Sequence, residues 1–131
     1  MGVLLLDTNV VSYFMKGHTF AASYRPLVAG HTLAISFMTL AELYDGALSA
    51  GWSPTRWEVL GNAVRQYLTI PSSEEACQQW ARVRQARRER PLSSEDTWIA
   101  AVALAHGLPL VTHDAENFAG IPGLTIVTAP T

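Results

Sequence analysis

The hardest constraint on this chain lies around residue 7. Val3, Leu4, Leu5 and Leu6 form an apolar run that ends directly in Asp7. Four consecutive apolar residues read as a strand buried on both faces. A carboxylate at the end of such a strand is costly to bury without a partner. In an open parallel sheet, the carboxyl ends of the strands are also where ligands and chemistry are found. The rest of the chain must therefore supply a sheet around this strand and a reason for Asp7.

Length and composition bound the answer. The 131 residues are 49% hydrophobic and 15% charged, which suits a single globular domain over 1–131 and argues against disorder. The net charge of −2 gives no global basic field, although a local patch can still hold phosphates. A single cysteine, Cys77, excludes an internal disulfide and a cysteine zinc site, and fits a reducing compartment. Cys77 itself reads as a small core or half-buried residue. The apolar run before Asp7 is too short for a membrane span or a signal segment. A soluble cytoplasmic protein is the expectation.

Strand and helix signals alternate along the chain. After Val3 to Leu6, Asn9 to Lys16 forms a helix stopped by Gly17, and Ala21 to Val28 a second one. Thr32 to Ile35 is a strand. Ser36 or Thr39 then caps a helix to about Ser49 with Leu40, Leu43, Ala47 and Leu48 on one face. Ser53 and Pro54 open a helix to about Gln66. Tyr67 to Ile70 is the third strand. Ser72 or Ser73 opens a helix reaching about Glu89, with Ala76, Trp80 and Val83 inward. Ser93 or Ser94 caps the helix Glu95 to His106. Leu108 to Val111 is the fourth strand, Asp114 to Phe118 a short turn or helix, and Leu124 to Val127 the last strand. This alternation predicts an α/β fold: a small parallel sheet of about four or five strands between helical layers, with right-handed crossovers.

Four acids fall at one edge of such a sheet. Asp7 follows the first strand and Asp114 the fourth. Glu42 lies in the first turns of the helix after the second strand. Asp96 lies in the first turn of the helix before the fourth. Converging carboxylates repel one another unless a cation joins them. Few Lys or Arg lie near these positions in sequence, so a hard divalent ion, Mg²⁺ or Mn²⁺, is the candidate neutraliser. Such a site supports phosphodiester hydrolysis, in which the metal activates water and stabilises charge on the leaving oxygen. Each acid also has a plainer reading. Glu42 and Asp96 each stand three residues after a hydroxyl residue, as capping residues do. Asp7 and Asp114 could be turn residues. The joint pattern is what favours a site.

The same residues resemble a known family. Leu5-Leu6-Asp7-Thr8-Asn9 resembles the opening signature of PIN domains. Thr39-Leu40-Ala41-Glu42-Leu43 with Gly46-Ala47, Asp96-Thr97-Trp98-Ile99-Ala100-Ala101, and Thr112-His113-Asp114 with Asn117-Phe118 are similar to the family's later motifs, in order along nearly the whole chain. The size resembles the VapC-type toxins of prokaryotic toxin–antitoxin pairs. The resemblance implies a PIN-like three-layer α/β/α fold with about six or seven helices. It implies an Mg²⁺- or Mn²⁺-dependent endoribonuclease acting on transfer or ribosomal RNA, held inactive by a cognate antitoxin and commonly a homodimer. Under it Asp7 and Asp96 are the main metal ligands, and Glu42 and Asp114 bind metal directly or through water. Asn9 and Thr112 are residues that orient the acids. Position 117, often acidic in that family, is Asn here and is not counted as a ligand.

Other residues carry weaker signals. Arg82, Arg84, Arg87, Arg88 and Arg90 are five of the nine basic residues. Arg84, Arg87 and Arg88 share a helix face, either as a solvated surface or as an RNA-guiding strip leading to Asp96. His113 sits between two motif residues, where it could touch a phosphate. Tyr44, Trp52 and Trp57 are core residues by default, or a groove for an antitoxin segment. Asp45 is expected to face solvent. The rival readings are an aspartyl-phosphate phosphotransferase, disfavoured because Asn9 stands where its second acid is needed, a PIN-like nuclease acting on DNA or in RNA processing, and a catalytically silent binding module.

Overall fold

A computed structural model of the chain describes residues 2–130. Among these, five parallel strands form one sheet: β1 (Val3–Leu6), β2 (Thr32–Ser36), β3 (Leu68–Ile70), β4 (Leu110–Val111) and β5 (Ile126–Val127), in the order β3-β2-β1-β4-β5. The chain steps outward from β1 through β2 to β3, then returns to the other side of β1 for β4. The order therefore reverses between β1 and β4, and that reversal opens a crevice at their carboxyl ends. Register places Leu5 beside both Ala34 and Leu110.

Seven helices connect the strands among the described residues: α1 (Thr8–Lys16), α2 (Ala21–Val28), α3 (Phe37–Ser49), α4 (Pro54–Val64), α5 (Glu74–Ala86), α6 (Ser94–His106) and α7 (Ala115–Phe118). The alternation of strand side chains divides the core into two layers. Leu5, Ala34 and Leu110 pack with Ala76, Val83, Ile99 and Val102 of α5 and α6. Leu4, Leu6, Ile35 and Val111 face the other way, against Val10, Val11, Tyr24 and Val28 of α1 and α2. Leu5 and Leu6 are both fully buried, as a central strand covered on two faces requires. The three-layer α/β/α architecture read from the sequence is the architecture observed. Among the described residues no helix is long and apolar enough to cross a membrane.

The differences from the sequence reading are local and have physical causes. The fourth strand starts at Leu110, not Leu108, because Pro109 has no N–H; its carbonyl still accepts from Leu5 N at 3.0 Å. The third starts at Leu68, since Tyr67 N is held in the turn by Val64 O. The last starts at Ile126, because Leu124 N is turned back to Ile121 O. Leu48 is 68% exposed, not inward: α4 covers the Ala47 side of α3 and stops there. Cys77 is exposed, one helical step off the stripe that buries Ala76 and Val83. Trp57 keeps 39% exposure, leaning on Tyr44 with ring centroids 4.7 Å apart. Asp45 faces solvent, as expected.

The largest correction concerns Arg87. The helix expected to reach Glu89 ends at Ala86, and Arg87 turns inward to become buried. Its Nη1 donates to Asn117 O at 2.8 Å and Ala119 O at 3.2 Å, and its Nε to Arg90 O at 3.0 Å. Arg90 adds a bond to Glu116 O. Arg87 thus braces the α7 segment instead of offering charge to solvent. Arg88 is exposed, and Arg84 lies over the Trp80 ring at 4.9 Å. Truncating Arg87 strips donors from three carbonyls, so Arg87→Ala is expected to cost about 3 kcal/mol of unfolding free energy, with Arg88→Ala within about 0.5 kcal/mol of wild type. Urea unfolding of the two variants checks this; equal effects would contradict the brace.

Candidate metal and nucleic-acid site

Asp7 is fixed before its carboxylate is considered. Its backbone N–H donates to Val111 O at 2.8 Å, extending the β1–β4 ladder by one residue. Its side chain caps α1, with Oδ1 accepting from Thr8 N at 2.8 Å. Its Oδ2 accepts from Thr112 Oγ1 at 2.8 Å. Thr112 in turn accepts from Asp114 N at 3.0 Å. Thr112 is fully buried, so one hydroxyl joins the ends of the two strands that flank the crevice: it holds the Asp7 carboxylate and the backbone of Asp114, whose own side chain is exposed.

Glu42 comes in from α3. Ser36 caps that helix, its Oγ accepting from Thr39 N at 3.1 Å. Thr8 Oγ1 donates to Glu42 Oε1 at 2.8 Å and lies 2.9 Å from Thr39 Oγ1. Asp96 comes in on the first turn of α6, capped by Ser93 Oγ at 3.1 Å. Its Oδ2 accepts from Asn117 Nδ2 at 2.9 Å. The brace at Arg87 therefore reaches the site: it holds the backbone of the residue whose amide orients Asp96.

The acids sense one another. Burial lifts the Asp7 carboxyl from 3.8 to about 6; its hydrogen bond from Thr112 works against this, and the charges of Asp96 and Glu42 add to it. Burial also raises Glu42, with Thr8 opposing and Asp96 contributing. Asp96 is raised by burial, opposed by Asn117 and Ser93, and pushed further by Asp114. Asp96 is thus the common member, within electrostatic reach of the other three. The hydrogen bonds that reach these acids come from hydroxyls, backbone N–H groups and one amide, not from Lys or Arg. The positive ends of α1 and α6 soften the repulsion without cancelling it.

An all-oxygen, cation-free, anionic donor set is the chemistry a hard divalent ion needs. Among the described residues no three His, Cys, Asp or Glu side chains are already gathered around one point at ligand distance. Mg²⁺ or Mn²⁺ takes one or two carboxylates directly and completes its shell with water, so it does not require such a group. The donor set fits such an ion, with Asp7 and Asp96 as the best-oriented carboxylates.

The structure sorts the other residues expected at the site. Thr112 orients Asp7, as read. Asn9 is exposed, and among the described residues it makes no side-chain hydrogen bond to an acid; its neighbour Thr8 holds Glu42 instead. Thr8, Ser36, Thr39 and Asn117 were not singled out as acid-orienting residues. The signal was the place of Thr8, Thr39 and Asn117 inside the motifs, one to three residues from an acid; Ser36 stands just before its motif, six residues from Glu42. Arg84 stays on the surface of α5, Arg88 is exposed just beyond its end, and Arg87 turns inward. His113 is half-buried, with Nδ1 2.6 Å from the Tyr24 hydroxyl.

Fold and site together define an all-parallel α/β domain with a carboxylate cluster at the sheet's switch point. Residues 4–124 match the PIN domain family, and the chain belongs to that family, on its VapC-type branch. It is 33% identical over 127 residues to Ribonuclease VapC5 of Mycobacterium tuberculosis, covering 94% of this chain and 90% of that protein. It superposes on the structure of VapBC-1 from nontypeable Haemophilus influenzae with a TM-score of 0.82 and 26% identity, covering 98% of each chain. The structure of VapBC2 from Rickettsia felis bound to a promoter DNA fragment matches with a TM-score of 0.84 over 99% of this chain and 100% of that one. At 24% identity that last match shows the shared fold alone.

A carboxyl raised on folding favours the fold most below its unfolded pKa. For Asp7 that advantage is complete below pH 4 and is lost as the pH rises through about 6. Ionised and without a cation, Asp7 then costs about 3 kcal/mol. In EDTA, Asp7→Asn is expected to be more stable than wild type at pH 8 by up to that amount, with the gain vanishing at pH 4. Urea unfolding at both pH values checks this; a gain independent of pH would contradict it.

Proposed function

We propose that this chain is a divalent-metal-dependent endoribonuclease, the toxin of a toxin–antitoxin pair, cutting transfer or ribosomal RNA. The observation that carries the reading is the unneutralised carboxylate cluster at the β1–β4 switch point, with Asp7 and Asp96 each oriented by a dedicated hydrogen bond. When bound, Mg²⁺ or Mn²⁺ would activate water and offset charge on the phosphate and the leaving oxygen. The protein's part is positioning. Asp7 and Asp96 would hold the ion, with Glu42 and Asp114 directly or through water. Thr112, Thr8 and Asn117 keep the carboxylates from swinging apart. Without a cation the same carboxylates repel an RNA phosphate, which makes the activity conditional on metal.

The relatives' names and titles support the biological role: one is a ribonuclease by name, and the solved neighbours carry the VapBC name. A groove of about 680 Å³ between α1, α3 and α4 supports control by a partner. It is lined by Met15, Leu43, Trp52 and Leu60 and opens at Thr8 and Glu42. An amphipathic antitoxin segment in this groove would end beside the acids.

The purified chain is expected to cut single-stranded RNA in Mg²⁺ or Mn²⁺ and to stop in EDTA. Asp96→Asn should lower the rate by more than about 100-fold, and Thr112→Val by about 10- to 100-fold. Gel assays on RNA and DNA of the same sequence measure this. Cleavage that survives EDTA and Asp96→Asn would overturn the metal-site reading; equal cutting of DNA would overturn the restriction to RNA.

A further inference from the structure

Beside the acids stands a cluster of rings that the hydrolytic chemistry does not use. Tyr24, fully buried, is its anchor: its hydroxyl donates to Thr112 O at 3.2 Å and lies 2.6 Å from His113 Nδ1. Phe20 lies on His113 with centroids 4.3 Å apart and planes tilted by 36°. His18 lies 4.8 Å from both Phe20 and Tyr13, and Tyr13 meets His113 edge-on at 5.7 Å. The loop between α1 and α2 is held in place from within, since Phe20 N donates to His18 Nδ1 at 3.0 Å. The rings are thus pre-positioned, and the outer part of the stack is open: Phe20 is 41% exposed and His18 is exposed.

Packing accounts for Tyr24, but it leaves the Phe20 ring 41% exposed where α2 begins. Its position is specific. His113 is bonded in sequence to Thr112, which holds Asp7, and to Asp114. The surrounding charge is specific too. Between Asp7 and Glu42 there is no acidic residue, while Lys16 and Arg25 flank the loop on the two helices it joins. An aromatic face set in an acid-free, positively charged segment beside a phosphodiester site matches an unstacked base followed by its phosphates.

Building on the ribonuclease reading, we propose that Phe20, supported by His113 and His18, is a stacking platform for one nucleobase of single-stranded RNA next to the cleaved bond. Phe20 supplies the exposed ring. Tyr24 and His113 tie the ring cluster to Thr112, which holds Asp7. The platform selects for an unpaired nucleotide at one position, because a base inside a helix cannot leave its neighbours to reach the ring.

The test uses an RNA that the wild-type protein cuts, with single abasic nucleotides placed in turn on either side of the cut. Wild type is expected to show one position at which the missing base raises KM about fivefold to a hundredfold. Phe20→Leu, which keeps the apolar packing but removes the flat face, should raise KM on intact RNA by the same factor with kcat little changed. It should also abolish the extra penalty at that one position, and Phe20→Trp should restore both. In the Asp96→Asn background, 2-aminopurine at that position should be quenched on binding, and not when Phe20→Leu is added. Phe20→Leu with wild-type KM, or abasic penalties that persist unchanged in it, would overturn the platform while leaving the ribonuclease reading intact. A wild type that cuts no RNA would overturn that reading and the platform with it.

Discussion

The hydrogen bond from Thr112 to Asp7 is the contact on which the site depends. It joins the ends of two neighbouring parallel strands at the place where the sheet's order reverses. Asp7 cannot move without breaking either this bond or its cap on α1. The same hydroxyl accepts from the backbone of Asp114, so one buried group holds the Asp7 carboxylate and the main chain that carries Asp114. The sheet supplies rigidity and the crevice supplies access. Repulsion among the acids is what a bound cation would relieve. The site is strained by design: folding holds together charges that would separate in the unfolded chain.

A second level of support lies farther out. Asp96 is oriented by Asn117, Asn117 sits on α7, and α7 is tied down by the guanidinium of Arg87. Charge at the surface of α5 is thus partly converted into positioning at the site. Buried guanidinium groups serve this way because they present several donors in a fixed plane and do not lose their proton. Asn117 itself acts as a donor in this arrangement. Its amide fixes the direction of the Asp96 carboxylate without adding a charge to the cluster.

Much of this was legible in the sequence because it is local or periodic. An apolar run ending in Asp7, and a regular alternation of strands and helices, suffice to place four acids at one sheet edge. Asp96 and Glu42 were legible through their places in the first turns of helices that begin at that edge, although the hydroxyls before them also allow a plain capping role. What could not be read depends on the phase of a side chain or on partners distant along the chain. Thr8 and Asn9 are neighbours, and only the direction in which α1 leaves Asp7 decides that Thr8 meets Glu42 while Asn9 faces solvent. Arg87 read as surface charge because its acceptors, Asn117 O and Ala119 O, lie 30 and 32 residues away. Strand starts at Leu110 and Ile126 are set by Pro109 and by a turn, neither of which alters hydrophobic pattern.

The central claim is that the acids at the β1–β4 crevice form one cation site. Calorimetric titration of the purified chain with Mn²⁺ tests it most directly. Saturable binding should be tighter at pH 8 than at pH 6, because protons compete for Asp7, and it should be lost in Asp96→Asn. Absence of binding at millimolar Mn²⁺, or binding that Asp96→Asn leaves untouched, would contradict the account.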